Sequence, residues 1–188
     1  MPHFLVSGIA ELGSSVADEL RAQGSTAVQV DDIEDVARAC AEAGEHAFDG
    51  YIQLPATFSV VGPTAVDRLH CFFVDGVMAR FPAMAAALPT LRAGSRITFV
   101  TGVLPPEIST DDDVAARAAL LRVLSRAARA DGPSGLRVSS LGSGSTPKEI
   151  VTAALGRDPK LEQAVTADPD HDYDDWRVEV LGMMSALN

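Results

Sequence analysis

The residues best suited to chemistry in this sequence are two glycines and an alanine near its start. Gly8, Ala10 and Gly13 form a Gly-x-Ala-x-x-Gly pattern between a short apolar run and a segment with helical spacing. In the related Gly-x-Gly-x-x-Gly pattern, the glycines permit a tight turn, a close backbone approach to a pyrophosphate and close helix–strand packing. Ala10 is a weaker choice at the middle position, and Glu11 places a negative charge close to the phosphates. The pattern predicts a turn that binds a dinucleotide weakly or not at all.

Asp31 follows the next apolar run, at residues 26–30. An acidic side chain at the end of a second strand accepts hydrogen bonds from a ribose 2′-hydroxyl, which favours NAD over NADP. The alternative is structural: Gly8 and Gly13 form only a strand–helix turn, while Asp31 and Asp32 cap the next helix. Both interpretations stay open, so the expected cofactor is none or weakly bound NAD(H).

The elements that would position these residues alternate along the chain. Predicted strands occupy residues 4–7, 26–30, 48–54, 97–100, 136–141 and 178–181. Predicted helices occupy residues 16–21, 33–43, 64–92, 114–130 and 147–155, and Pro82 should kink the longest of them. This alternation predicts an α/β fold, a Rossmann-like doubly wound parallel sheet of about six strands with helices on both faces. Ligands bind such sheets at the carboxyl ends of the strands.

The bulk properties favour a single domain over residues 1–188, with 47% hydrophobic residues. No apolar run reaches the roughly 18 residues that a membrane-spanning helix needs, so no membrane association is expected. The net charge of −11 opposes binding to nucleic acid. The two cysteines, Cys40 and Cys71, are too few for a disulfide framework, which favours a reducing cytoplasm.

Metal binding is not expected from this sequence. None of the four histidines has metal-ligand spacing. Residues 167–175 form an acidic stretch in which Asp168, Asp170 and Asp172 follow the spacing of a calcium loop. The glycine that such a loop requires is replaced by Tyr173, so a solvated acidic loop is the prediction.

The order of elements resembles the short-chain dehydrogenase/reductase family over most of the chain. Ser7 and Gly8 are similar to the family's Thr-Gly at the end of strand one, and residues 53–56, Gln-Leu-Pro-Ala, replace its Asn-Asn-Ala-Gly. Residues 136–146 are similar to the strand and turn on the nicotinamide side. One strand–helix unit separates Gly24 from Phe48, where the family usually has two. The resemblance therefore implies a shortened dinucleotide-binding fold.

The sequence lacks the Tyr-x-x-x-Lys pair of that family. Its tyrosines are Tyr51 and Tyr173, its lysines are Lys148 and Lys160, and neither tyrosine has a lysine four residues on. In a working family member the tyrosine transfers the proton, while the lysine lowers its pKa and holds the ribose. The resemblance thus implies that the standard carbonyl reduction is absent.

Carried over by resemblance, the family's catalytic positions fall on different residue types. The serine position falls on Thr101 or Gly102, the tyrosine position on Asp113 and the lysine position on Arg117. Thr101, Asp113 and Arg117 are therefore the candidate catalytic residues. The candidate cofactor-binding residues are Gly8, Ala10, Gly13, Asp31 and Gly144.

A structural role for Asp113 is favoured over a catalytic one. Thr110 and Asp113 are spaced as in a capping box, and Asp113 and Arg117 are spaced as an i, i+4 ion pair on a helix. An aspartate also ionises near pH 4, which makes it a poor proton donor at neutral pH.

Two predicted helices, at residues 64–92 and 112–130, carry long runs of alanine and other apolar side chains. In the family these helices build the dimer, so the resemblance implies a homodimer or a hetero-oligomer with an intact relative. The alternative is burial within the monomer.

The leading hypothesis is a pseudoenzyme of short-chain dehydrogenase/reductase type, acting as a structural or regulatory subunit of such an oligomer. The alternative is an enzyme, either an NAD(P)-binding oxidoreductase or a non-redox lyase, isomerase or cyclase with a small-molecule ligand. In that case Thr101, Asp113, Arg117 and Ser143 would line a remodelled cleft. A nucleotide-sensing module without turnover is a third possibility.

Overall fold

The computed structural model describes residues 1–55, 61–102, 111–142 and 144–160, without the side chains of Leu69, Phe72 and residues 111–118. Five strands form one parallel sheet in the order β2-β1-β3-β4-β5. Their bounds are β1 His3–Ser7, β2 Thr26–Val30, β3 Phe48–Gln53, β4 Leu91–Val100 and β5 Arg137–Leu141. The predicted α/β class and parallel sheet are confirmed. The sixth predicted strand, at residues 178–181, lies outside the described residues.

Helices connect these strands. They are α1 Ala10–Ala22, α2 Val36–Ala43, α3 Ala65–Cys71, α4 Arg80–Ala87, α5 Asp111–Asp131 and α6 Pro147–Ala154. A short 3-10 turn, Ile33–Asp35, precedes α2. A π-helical segment, Phe72–Met78, joins α3 to α4, and a second 3-10 turn, Leu88–Thr90, follows α4.

Two apolar cores cover the two faces of the sheet, as a doubly wound fold requires. On one face, α1 and α6 pack on β1 and β3 through residues that include Val16, Leu20 and Ile150. On the other face, α2, α4 and α5 pack on the sheet through residues that include Met84 and Leu124. Both faces are buried, which explains why the strands read as near-continuous apolar runs.

The long predicted helix at residues 64–92 ends earlier than the sequence suggested. Its last two residues belong to β4, where Leu91 pairs with Phe48 of β3. The predicted interruption at Pro82 begins upstream, because Phe72–Met78 adopts π-helical geometry and a regular helix restarts at Arg80. Pro82 then lies in the first turn of α4, where its missing N–H and its ring cause least disruption.

The segment Ala65–Thr90 is also long and apolar enough to cross a membrane by length and composition, although the sequence reading found no such run. Core helices of soluble proteins satisfy the same criterion, and α4 does pack into the core through Ala83, Met84 and Ala87. Only 29% of the most apolar window is buried, however. Three of its large apolar side chains, Val66, Val74 and Met78, are exposed.

The strand order changes direction at β1. From β1 the chain passes to β2 on one side of it and then to β3 on the other side. The helix after β1, α1, therefore covers one face of the sheet, and the helices after β3 cover the opposite face. This is a topological switch point, where doubly wound sheets bind their ligands. As expected from the sequence, only one strand–helix unit, β2 with α2, lies between Gly24 and Phe48.

Candidate functional site

The turn after β1 lies at this switch point and is closed by the end of β3. Gly8 has a φ of 117°, and its N–H donates to Val30 O at 3.0 Å. A Cβ built on Gly8 would lie 2.6 Å from Pro55 O and 2.8 Å from Leu54 O. The next amide, Ile9 N–H, donates to Pro55 O at 2.9 Å. Only glycine fits this position, because both the φ value and the close backbone require it.

The N-terminus of α1 opens directly above this turn. The first hydrogen bond within the helix runs from Gly13 N–H to Ile9 O at 2.8 Å, and no side chain caps the helix. The first amides of a helix point outward and favour a negative group. Glu11 lies in this first turn, so its negative charge partly cancels the positive potential at the start of the helix. Ala10 and Gly13 therefore lie in the first turn of α1, as the glycine pattern predicted, next to the negative charge of Glu11.

Asp31 is joined to this turn by Gln29. The amide Nε2 of Gln29 lies 2.6 Å from Asp31 Oδ1, 3.2 Å from Ser14 Oγ and 3.3 Å from Ala10 O. A Cβ on Gly13 would lie only 3.3 Å from that Nε2. The predicted grouping of Gly13 and Asp31 is thus present, with Gln29 as a link that the sequence reading missed.

Of the two aspartates that could cap the next helix, only one does so. Asp32 is the cap, because its Oδ1 accepts from Glu34 N–H at 3.0 Å. Asp31 is exposed and accepts from Gln29 Nε2, which also contacts Ala10 and Ser14, so its carboxylate lies on the α1 side of β2. This arrangement is compatible with a ribose hydroxyl at Asp31.

Thr101 lies at the end of β4 and is tied to β5. Its backbone N–H donates to Leu141 O at 3.0 Å, and its hydroxyl donates to the same oxygen at 3.2 Å. The hydroxyl proton is therefore engaged within the protein. Gly102 follows next to Pro55, since a Cβ on Gly102 would lie 3.3 Å from Pro55 Cβ. Thr101 thus borders the same edge of the sheet as Gly8.

The other candidate residues of this edge are only partly described. Asp113 and Arg117 lie in the first turns of α5, and their side chains lie outside the described residues, as do Thr110 and Ser143. Gly144 is exposed in the turn after β5, with a φ of 91° and open space around it. Whether Asp113 pairs with Arg117, and whether either contacts a cofactor, stays a prediction.

Tyr51 lies in the middle of β3 and is fully buried. Its phenolic oxygen lies 2.8 Å from Ser7 Oγ and accepts from Gln53 Nε2 at 3.1 Å. Burial raises the pKa of Tyr51 to about 12, although these two hydrogen bonds lower it. A phenol that is buried in the sheet cannot reach a substrate in the cleft. Of the two lysines, Lys148 is exposed on α6, on the opposite face of the sheet.

Arg80 is the charged residue that sequence reasoning missed at this edge. Only 4% of it is exposed, and its Nη2 donates to Val100 O at 3.0 Å and to Leu54 O at 3.4 Å. Its own carbonyl accepts from Gln53 Nε2 at 3.2 Å. The guanidinium therefore joins the ends of β3 and β4 beneath the cleft. The available signal was an arginine between apolar neighbours, Ala79 and Phe81, in a largely apolar helical segment.

Comparison with known proteins supports the fold. No protein-family model matches the sequence, and no curated protein matches it significantly. A mutant of a short-chain dehydrogenase/reductase from Serratia marcescens superposes with a TM-score of 0.62 at 17% identity, covering 85% of this chain and 91% of its own. The protein lin1944 from Listeria innocua gives 0.61 at 13% identity, covering 86% and 96%.

BdcA from E. coli is a further similar structure. In its complex with NADPH it superposes with a TM-score of 0.58 at 16% identity, covering 87% of this chain and 90% of its own. Likeness at these identities shows the fold. This chain has the fold of the short-chain dehydrogenase/reductases, which confirms at that level the resemblance inferred from the sequence.

The residues present fit one half of a dinucleotide better than the other. The turn at Gly8, the uncapped start of α1 and the exposed Asp31 suit a ribose and its phosphate. Glu11 weakens that fit. At the other end of the cleft, the hydroxyl proton of Thr101 is held by Leu141 O, so it is not free to polarise a carbonyl.

Proposed function

We propose that this chain is a member of the short-chain dehydrogenase/reductase family that has lost carbonyl reduction and acts as a structural or regulatory subunit. The observation that carries the proposal is the position of Tyr51, fully buried in β3 with a pKa near 12. A general acid must reach the substrate and titrate near the working pH. Tyr51 meets neither condition, and no lysine follows Tyr51 or Tyr173 at the spacing that activates the family's acid.

The cofactor in this proposal is none or weakly bound NAD(H). The glycine turn and Asp31 support binding, because they retain the shape and the acceptor that a ribose requires. Glu11 and Ala10 oppose it, because one adds negative charge and the other adds a methyl group where the phosphates approach. The balance predicts an affinity well below that of a working dehydrogenase.

The proposed oligomer, a homodimer or a hetero-oligomer with an intact relative, rests on the helical segment from Ala65 onward. Four large apolar side chains near or within it are exposed, including Val66 at 76% and Met78 at 48%. The other two are Val61 and Val74. Exposed apolar side chains mark surfaces that bind another molecule where they form a contiguous patch. The second helix of the proposed interface is α5.

One experiment tests the catalytic half of the proposal. NADH is titrated into the purified protein and binding is followed by fluorescence, and then a panel of ketones and aldehydes is added and NADH oxidation is measured. We expect no oxidation above background, and binding in the millimolar range at best. Asp31→Asn should weaken any binding, whereas Asp18→Asn, on the exposed side of α1, should not. Steady ketone turnover by the wild-type protein would refute the proposal.

A second experiment tests the assembly. The mass of the protein in solution is measured by light scattering, alone and after mixing with an intact family member. Val66→Lys and Met78→Lys should dissociate the oligomer, because each would bury a charge in the interface. Ala41→Lys adds the same charge to the exposed face of α2 and should have no effect. A monomer at every concentration and in every mixture would contradict the proposed role.

A further inference from the structure

A cavity of about 650 Å³ lies between the turn after β2 and the segment that joins α3 to α4. Ile33 and Ala37 line one wall, while Val74 and Ala83 line the other. Ile33 and Ala83 are themselves buried, so each wall is apolar where it meets the core of the protein. Its volume falls within the range of small-molecule sites, roughly 300–1,000 Å³.

Among the described residues, the polar part of the lining is entirely acidic. Asp32, Glu34 and Asp75 line the cavity, and no lysine, arginine or histidine of the described ranges does. None of the ion pairs recorded for the described ranges includes any of these three carboxylates. The nearby Arg38 is engaged with Asp35 and Glu42 instead. The cavity therefore holds negative charge without a counter-charge from its own walls.

This charge excludes some classes of ligand. An anion would meet three carboxylates, and the helix start that might attract it is occupied, since Asp32 accepts the N–H of Glu34. A bare metal ion does not fit either. No group of three or more potential metal-ligating side chains lies close enough together anywhere in the described part of the chain. The cavity combines apolar lining residues with carboxylates, which suits a ligand that has an apolar body and one positive charge.

We propose that this cavity binds a small organic cation, a protonated amine carried on an apolar body. The apolar part would contact Ile33, Val74 and Ala83, and the ammonium group would lie among the carboxylates at the rim. The three carboxylates are exposed, so solvent screens an ion pair with any of them and limits the gain in affinity over a neutral hydroxyl to about two- to fivefold. Such binding does not require a dinucleotide, and it uses Val74, one of the exposed apolar side chains described above.

Three probes that share one ring system test the proposal: tryptamine as the cation, tryptophol as the neutral analogue and indole-3-acetate as the anion. Binding to the full chain is measured by calorimetry, and its location by amide chemical-shift changes. We expect tryptamine to bind about two- to fivefold more tightly than tryptophol. Indole-3-acetate should bind weakest, and the shifts should centre on Ile33, Ala37 and Ala79.

Variants separate the charge from the cavity. Asp75→Asn should weaken tryptamine binding by about two- to fivefold while leaving tryptophol unchanged. Glu45→Gln, an exposed carboxylate beyond the other end of α2, is the matched control and should change neither. Ala37→Met fills the cavity without altering charge and should weaken both probes. The proposal is wrong if tryptophol or indole-3-acetate binds as tightly as tryptamine, if the shifts lie elsewhere, or if none of the probes binds.

Discussion

The hydroxyl oxygen of Ser7 lies 2.8 Å from the phenolic oxygen of Tyr51, and both side chains are fully buried. This hydrogen bond joins the last residue of β1 to the middle of β3, immediately below the turn at Gly8. Gln53 extends the link to the backbone of Arg80. Tyr51 thus stabilises the ends of β1 and β3 and does not face the cleft.

Tyr51→Phe should lower the free energy of unfolding by about 1–3 kcal/mol. The reason is that Ser7 and Gln53 would each lose a buried hydrogen-bond partner while the packing of the ring is kept. The measurement is urea denaturation followed by circular dichroism. An unchanged midpoint would show that the network contributes nothing to stability.

The stability of the wild-type protein should fall steeply as the pH rises from 10 towards 12. The pKa of Tyr51 is raised by burial from 10.0 to about 12, so the unfolded state loses this proton at a lower pH than the folded state. The contribution is complete below pH 10 and is lost as the pH passes the folded-state pKa. Tyr51→Phe removes the group, so the difference in stability between the two proteins should narrow over this range. Parallel curves would contradict the assignment.

Gly8→Ala should be far more destabilising than Gly24→Ala. Both glycines have positive φ values, 117° and 79°, so each substitution carries a backbone penalty of about 1–2 kcal/mol. At Gly24 the space for a Cβ is open, whereas at Gly8 it is occupied by the carbonyls of Leu54 and Pro55. We expect a total loss of about 3 kcal/mol or more for Gly8→Ala, measured by thermal and urea unfolding. Equal effects would mean that β3 can move away from the turn.

Thr146→Ala should cost about 0.5–2 kcal/mol, because Thr146 caps α6 in a reciprocal capping box with Glu149. Thr152→Ala is the matched control on the same helix. The hydroxyl of Thr152 bonds back to Lys148 O, and alanine has the higher helix propensity, so this change should be neutral or slightly stabilising. Urea denaturation compares the two, and a reversed order would contradict the capping role.

Sequence periodicity was sufficient to predict the class of fold and the position of the glycine turn. Apolar runs bounded by glycine and proline gave all five described strands, because a doubly covered parallel sheet buries both faces of each strand. The predicted ends of elements were wrong where a helix is followed directly by a strand. Leu91 and Arg92 continued the apolar and helical pattern before them, and their assignment to β4 depends on pairing with Phe48, which is distant in sequence.

The site was harder to predict because its links are tertiary. Gln29 reads as an ordinary polar residue within a strand. Its bond to Asp31 is local, but its bonds to Ser14 and Ala10 depend on how α1 crosses β2. Arg80 reads as an interruption of an apolar helix, and its role at the ends of β3 and β4 requires the sheet to be in place. Neither contact leaves a short-range pattern in the chain.

In the described sheet only one strand, β2, lies beyond β1 on the side that would support the adenosine half of a nucleotide. Its side chains are only partly covered along most of its length. Any molecule that enters between α2 and α4 therefore stays close to bulk solvent and has a short way out. We therefore expect a ligand bound between α2 and α4 to exchange rapidly with solvent, which would favour transient binding over the retention of a cofactor through a catalytic cycle.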